Sequence, residues 1–166
     1  MDLNKKFMTL ALTLVSTVTL AACGGGADTD TGSDAASGTS EVAAGELQDG
    51  TYKLVEKNLD DNGWKVDFSI TVVDGVITES NYDNVNEAGE SKVDDDEYQA
   101  MMSEKTGTGP QDFIPALNES LVEKQDPSEV EVVTGATSSS EGFVDYAQQL
   151  VDAAKAGNTD TIEIDN

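Results

Sequence analysis

Apolar and polar residues alternate most regularly in the middle of the chain, a pattern typical of a β-strand with one buried face. The apolar members of this run are Trp64, Val66, Phe68, Ile70 and Val72. The sequence Asp-Asp-Asn-Gly precedes the run at residues 60–63 and Asp74-Gly75 follows it. Both stretches favour tight turns because Asn, Asp and Gly tolerate positive φ. Flanking strands at Gly50–Glu56 and Val76–Val85 complete a predicted antiparallel meander.

Beyond the meander the spacing of apolar residues changes to the helical period. A first helix is predicted to begin at Asp94 or Asp95 and to end by Gly107. Its larger side chains are Tyr98, Met101 and Met102. A second helix is predicted to begin at Pro110, since proline is favoured in a first turn, and to close before Pro127. Its apolar residues at i, i+4 and i+8 are Phe113, Leu117 and Leu121.

A final strand at residues 129–133 is predicted to lead into a turn of small residues, Thr134-Gly135-Ala136-Thr137, which we call the elbow. Ser138 followed by Glu141 fits a capping box, in which the two residues bond free backbone N–H groups at a helix start. We therefore predict a last helix at residues 141–156. Its apolar face comprises Phe143, Tyr146, Ala147, Leu150, Val151 and Ala154. Such a helix start favours a phosphate, although a plain strand-to-helix turn would also explain the sequence.

Together these elements predict an α+β fold, an antiparallel β-sheet meander with about three helices packed against it. We place one domain at residues 47–157, and its roughly 110 residues are enough to bury a single core. An acidic C-terminal tail follows at residues 158–166 and offers an edge strand at residues 161–164. The sequence contains no internal repeat.

The N-terminal part of the chain has the pattern of a bacterial lipoprotein signal peptide at residues 1–23. Lys5 and Lys6 precede an apolar run at residues 7–20, and Leu20-Ala21-Ala22-Cys23 matches a lipobox. Cys23 is therefore the expected lipidation site, acylated for example with palmitate. An ordinary secretory peptide with an incidental cysteine is the alternative. Residues 24–46 are rich in Gly, Ser, Ala and Asp and are predicted to form a flexible tether.

Composition narrows the chemistry that the protein can perform. There are 9 basic and 33 acidic residues, a net charge of -24, which excludes nucleic acid as a partner. The chain has no histidine and a single cysteine, so we predict no catalytic residues and no metal site. Any redox chemistry must then come from a bound cofactor. Gly107-Thr108-Gly109 lacks the third glycine of a dinucleotide loop and is predicted to be a linker.

The elbow sequence Thr134-Gly135-Ala136-Thr137 resembles the Ser/Thr-Gly-Ala-Thr motif of the FMN-binding domain family. This domain occurs in one subunit of sodium-pumping quinone reductases, in the related Rnf complexes and in flavin-carrying surface lipoproteins. Residues 49–52 and 73–77 also look like early strands of that family, so the resemblance extends over residues 49–156. It implies that Thr137 carries FMN through a phosphoester, formed by a separate transferase that uses FAD as donor.

The resemblance also implies a set of residues around the flavin. The expected cofactor-binding residues are Thr137, Thr134, Gly135, Ala136, Ser138, Ser139, Tyr98, Met101 and Met102. Trp64 and Tyr82 are further candidates for the wall beside the ring, and all the large side chains have an alternative place in the core. Gly135 would let the backbone approach the phosphate closely. The amides and hydroxyls of residues 138–140 would donate to it.

We therefore expect an electron carrier rather than an enzyme, held at the outer face of the cell membrane by acylated Cys23. Its expected partners are the lipid bilayer, the FAD-dependent FMN transferase and a membrane dehydrogenase or quinol-oxidising system. The protein itself is expected to be monomeric. The electron acceptor stays open. The main alternative is a cofactor-free acidic lipoprotein that acts as a binding or adhesion module, whereas a hydrolase has little support without a histidine.

Overall fold

The alternating segment forms strand β2, Lys65–Val73, and its inward apolar side chains are buried. The computed structural model describes residues 46–166. Asp74 and Gly75 turn the chain with φ of 53° and 74°, and a two-residue turn with positive φ at both positions matches the twist of the strands it joins. Strand β3, Val76–Val85, therefore returns antiparallel beside β2.

Strand β1, Gly50–Glu56, pairs antiparallel with β2, so the predicted meander is present. A short strand β4, Ile162–Ile164, occupies the edge expected at residues 161–164 and pairs parallel with β1. The sheet order is β3-β2-β1-β4, and the sheet is mixed rather than purely antiparallel. The parallel pairing has a local cause. Gln48 N donates to Ala154 O at 3.0 Å, so the chain leaves the last helix beside the start of β1 and runs in the same direction.

Three α-helices follow the meander in residues 46–166, as predicted. They are α1, Asp96–Thr106; α2, Pro110–Lys124; and α3, Thr137–Ala156. Asp95 caps α1 by accepting from Tyr98 N at 2.8 Å, and Gly107 ends this helix with φ of 83°. The apolar faces of α2 and α3 are buried, with Phe113, Leu117, Leu121, Phe143, Ala147, Leu150, Val151 and Ala154 at their centre.

The core lies between the sheet and the helices α2 and α3. Phe68 of β2, Tyr82 of β3 and Phe143 of α3 meet there with ring centroids 4.9 to 5.2 Å apart. Aromatic pairs at such distances add about 0.5–1.5 kcal/mol beyond the burial of their surface. The predicted α+β class is confirmed, and this packing fixes where α3 starts relative to the sheet.

The strand predicted at residues 129–133 is wrong. Pro127–Glu129 is a short 3₁₀-helix capped by Asp126, which accepts from Ser128 N at 2.9 Å. Val130 has an extended backbone, but residues 130–133 join no strand of the sheet. The two sheet edges are covered in part by other groups. β4 covers β1, and side-chain amides of Asn118 and Gln125 bond the backbone of β3 at Tyr82 and Ile77.

The predicted signal peptide with Cys23, and the predicted tether as far as residue 45, lie outside the described residues. Within residues 46–166, no helix combines the length and the apolar character needed to cross a bilayer. The acidic tail predicted at residues 158–166 contains β4 and so contributes to the sheet.

Candidate functional site

The elbow is a tight turn that leads straight into α3. Ala136 N donates to Val133 O at 3.0 Å, Gly135 has φ of 87°, and α3 begins at Thr137. The predicted capping box of Ser138 and Glu141 is wrong. Ala136 is the residue that precedes the helix, no side chain caps it, and Ser138 already lies inside the first turn. Thr137 is therefore the first helical residue, and its side chain is exposed.

Gly135 is required by its surroundings as well as by its backbone angle. A Cβ at this position would collide with Thr106 O and lie 3.1 Å from Thr108 Cγ2. The linker between α1 and α2 is thus packed directly against the elbow. Sequence reasoning missed this contact, because Gly107-Thr108-Gly109 matched no binding motif. The available signal was its small residues, which permit a close approach of two backbones.

A shallow cavity of about 270 Å³ opens beside the first turn of α3. It is lined by Met102, Gly135, Ala136, Thr137, Ser138 and Ser139. The structure therefore brings one residue of α1 together with most of the predicted elbow residues. Thr134 is exposed outside this cavity, and Tyr98 and Met101 do not line it.

The electrostatics of the α3 start suit an anion. The first N–H groups of a helix lack intrahelical acceptors and lie at the positive end of its dipole. Among the α-helices of residues 46–166, α3 alone has no acidic residue in its first turn. Ser140 N donates to Ala136 O at 2.9 Å, so the free amides are those of residues 137–139 rather than 138–140. An uncapped helix start with an exposed hydroxyl fits the phosphate of FMN.

Tyr98 lies one turn before Met102 on the same face of α1, in a separate cluster. Its ring centroid is 5.9 Å from that of Trp64, and Lys92 Nζ lies 4.3 Å from the Tyr98 centroid and 5.4 Å from that of Trp64. Lys92 is only 7% exposed. Burial lowers the pKa of its ammonium, while the carboxylates of Asp60, Asp83 and Asp95 act to raise it. Sequence reasoning missed Lys92, since a lysine in an acidic stretch resembles an exposed residue.

A larger depression, about 650 Å³, lies between Trp64 and the N-terminal end of α1. Its walls include Glu90 and the four acidic residues 94–97. These carboxylates repel a phosphate, so the smaller cavity at the elbow is the better site for a phosphorylated ligand. No group of three or more potential metal ligands occurs in the part of the chain that the structure describes.

Fold and elbow together define a small α+β domain that presents a threonine at the uncapped start of its longest helix. A family model described as the FMN-binding domain matches residues 63–152. The chain belongs to this family, as the elbow motif predicted, and FMN is therefore the ligand of its domain.

Relatives support this assignment. The chain is 34% identical to the 15 kDa lipoprotein of Treponema pallidum (strain Nichols) over 116 residues, which cover 70% of this chain and 82% of that protein. It is similar in structure to the CPE2226 protein of Clostridium perfringens, whose crystal structure matches with a TM-score of 0.69 and 38% identity. That match covers 72% of this chain and 98% of the other.

Proposed function

We propose that this protein is a membrane-anchored, extracytoplasmic electron carrier whose FMN is held by a phosphoester to Thr137. The observation that carries the proposal is the geometry of the elbow. An exposed threonine stands first in a helix that has no side-chain cap and no acidic first turn. Gly135 lets the loop fold tightly behind it.

The residues of the elbow divide the work of holding the cofactor. The Thr137 hydroxyl oxygen bears the phosphate, and the amides of residues 137–139 donate to it. The hydroxyls of Ser138 and Ser139, which line the cavity, add further donors. Bound FMN supplies transfer of electrons singly or in pairs, which no side chain of this protein provides.

The side chains of α1 provide the wall for the ring. Met102 lines the cavity, while Tyr98 and the 44% exposed Met101 lie on neighbouring parts of the same helix. The cavity is smaller than the range of roughly 300–1,000 Å³ usual for enclosed ligand pockets. A flavin ring held here would extend beyond the cavity to the surface, where a redox partner could approach it.

Attachment is a group transfer that this chain receives rather than performs. The transferase cleaves the pyrophosphate of FAD, the phosphorus of FMN bonds to the Thr137 hydroxyl oxygen, and AMP leaves. The hydroxyl proton passes to a base of the transferase or to water. The covalent bond keeps the flavin on a protein that faces a dilute exterior.

The anchor and partners complete the proposal. Acylated Cys23 and a tether at residues 24–46 would hold the domain beside the membrane, with a root-mean-square reach of about 26 Å. The related Treponema pallidum protein is named a lipoprotein, which supports such an anchor. A membrane dehydrogenase or quinol-oxidising system is the proposed donor, and the carrier acts as a monomer.

The experiment is co-expression of the full chain with an FAD-dependent FMN transferase, followed by denaturation and peptide mass spectrometry. We expect the peptide containing Thr137 to gain the mass of FMN less water, and Thr137→Ala to abolish this gain. Thr161→Ala removes an exposed threonine far from the elbow and should keep the flavin. Flavin that survives Thr137→Ala would place the linkage elsewhere. A wild-type chain without covalent flavin would favour the cofactor-free binding module.

A further inference from the structure

Ser140 differs from the two serines before it because its side chain is fully buried. Its hydroxyl oxygen accepts from Val133 N at 3.0 Å, and the hydroxyl donates to Ala136 O at 2.9 Å. One side chain therefore joins the N–H at the beginning of the elbow turn to the C=O at its end. Val133 does not line the cavity, and Ala136, which does, takes part through its backbone carbonyl.

The turn that Ser140 closes is also bonded through its backbone. Ala136 N donates to Val133 O, and Ser140 N donates to Ala136 O, so Ala136 O accepts twice from Ser140. A partly buried N–H that loses its acceptor is disfavoured, which keeps Val133 and Ser140 together. Thr137 follows this turn directly, so a shift of the turn moves the Thr137 hydroxyl with it.

The opposite side of the elbow is supported by the linker between α1 and α2. Gly135 packs against Thr106 O, and the linker is itself fixed where Gly109 N donates to Asp112 Oδ2 at 3.1 Å. The elbow is thus held on one side by the linker and on the other by Ser140. The backbone that carries Thr137 is therefore fixed by the flavin-free fold.

We propose that Ser140 is a positioning residue for flavin transfer, a role that rests on the proposed function of Thr137. Ser140 does not touch the phosphate; it fixes the turn that places the acceptor hydroxyl. Group transfer is sensitive to such placement, since a misplacement of about 1 Å can cost on the order of 100-fold in rate. The third serine of the cluster therefore acts through the backbone, while Ser138 and Ser139 face the ligand.

The test compares Ser140→Ala with Val151→Ala in the full chain, using the transferase and FAD. Val151 is buried near the other end of α3, so its truncation lowers stability without reaching the elbow. The rate of FMN incorporation is followed by mass spectrometry. For Ser140→Ala we expect a loss of at least about tenfold in the maximal rate, because the acceptor is misplaced rather than less accessible. For Val151→Ala we expect a change of less than about twofold.

Hydrogen exchange of the flavin-free chain gives an independent readout. Ser140→Ala should lose more protection at the Val133 amide than at Phe68 in β2, whereas Val151→Ala, which lowers the stability of the whole domain, should not lower protection at Val133 more than at Phe68. Equal incorporation rates for the two variants, or a Val133 amide that stays protected in Ser140→Ala, would overturn the role of Ser140 alone. A wild-type chain that takes up no FMN would overturn the proposed function and this role with it.

Discussion

The first backbone N–H groups of α1 and of α3 have no acceptor within their own helix. A side chain supplies an acceptor at α1, whereas none does at α3. At α1 the protein supplies its own anions. Asp95 accepts from Tyr98 N, and Asp96 and Glu97 occupy the first turn. At α3 no side chain caps the helix, and the first turn carries hydroxyls instead of carboxylates.

This difference is meaningful in a chain whose net charge is -24. Carboxylates stabilise the start of a helix through its dipole, and the protein has many of them. Their absence from the first turn of α3 leaves donors free for an external anion. The adjoining cavities follow the same division, with carboxylates beside α1 and hydroxyls with Met102 beside α3. At the start of α1 the protein's own carboxylates stabilise the helix. At the start of α3 this stabilisation is absent, and the N–H groups stay free to bind an anion.

Among the substitutions that test the structure at the start of α3, Gly135→Ala should lower the stability of the protein most. We expect a loss of about 3 kcal/mol in the free energy of unfolding, because the substitution adds left-handed strain to a collision with Thr106 O. Gly63→Ala is a matched control, since Gly63 has the same φ of 87° and its Cβ would meet nothing within 4 Å. That variant should lose only about 1 kcal/mol.

Urea unfolding of the two glycine variants isolates the close approach of the linker to the elbow. Because both glycines have the same φ, the difference between the two variants reports the contact with Thr106. Equal losses would mean that the linker yields freely, and that it does not support the elbow.

A smaller effect is expected when a carboxylate is removed from the start of α1 or added to the start of α3. Asp95→Ala removes the cap of α1 and should cost about 1 kcal/mol of stability without changing flavin transfer. Ser138→Asp adds a carboxylate to the first turn of α3 and should stabilise the flavin-free protein by about 0.3–1 kcal/mol. The same charge opposes the incoming phosphate, so FMN incorporation should slow by about two- to fivefold.

Thermal or urea unfolding and mass spectrometry measure both sides of this exchange. Ser138→Asn has a similar size and no charge, and it separates electrostatics from shape. If Ser138→Asp and Ser138→Asn load FMN equally, the acid-free first turn of α3 has no bearing on flavin transfer.

The smallest effect concerns Tyr98 at the start of α1 and is expected in the free energy of unfolding at alkaline pH. Burial raises the pKa of the Tyr98 phenol, and Asp60 and Asp95 raise it further. Burial likewise raises the pKa of Tyr52 and Tyr146, and that of Tyr82 to about 12. An unfolded chain ionises its tyrosines near pH 10, so the folded state then holds more protons and stability falls as pH rises above about 10.

Tyr98→Phe should make this decline shallower in urea unfolding series between about pH 8 and pH 11. The lowered pKa of Lys92 acts in the opposite sense, because the unfolded lysine keeps its proton longer. The raised pKa values of the four tyrosines outweigh the lowered pKa of Lys92. Ser139→Ala, in the first turn of α3, changes no titrating group and should leave the slope as it is. If the free energy of unfolding of the wild-type chain increased as the pH rose above about 10, the raised pKa values of the tyrosines would be contradicted.

Much of the fold could be predicted from local patterns. The alternation along β2 and the Asp74-Gly75 turn gave β3 its bounds, because both record backbone preference and one-sided burial within a short window. The start of α2 at Pro110 followed from the fixed φ of proline. The strand at residues 129–133 failed because a strand forms only where a distant segment pairs with it, and no local pattern reports that pairing.

The candidate site was predictable only in part. The elbow motif located Thr137 and the small residues around it, and the cavity joins them to Met102. The sequence did not show which role each serine has, since the spacing of Ser138 and Glu141 fits a capping box that the structure does not form. The contacts of Lys92 with two aromatic rings, and of the linker with Gly135, arise from residues brought together by folding.

The sequence by itself determined the classes of chemistry open to this protein, the meander, the helical segments and the threonine that marks its family. These follow from composition and from short-range periodicity. Only the tertiary structure decided that α3 starts at Thr137, that its first turn stays uncapped, and that Ser140 and Thr106 hold the elbow from two sides. The physical reason is that the local sequence permits more than one bonding pattern at the elbow, and packing between distant segments selects one.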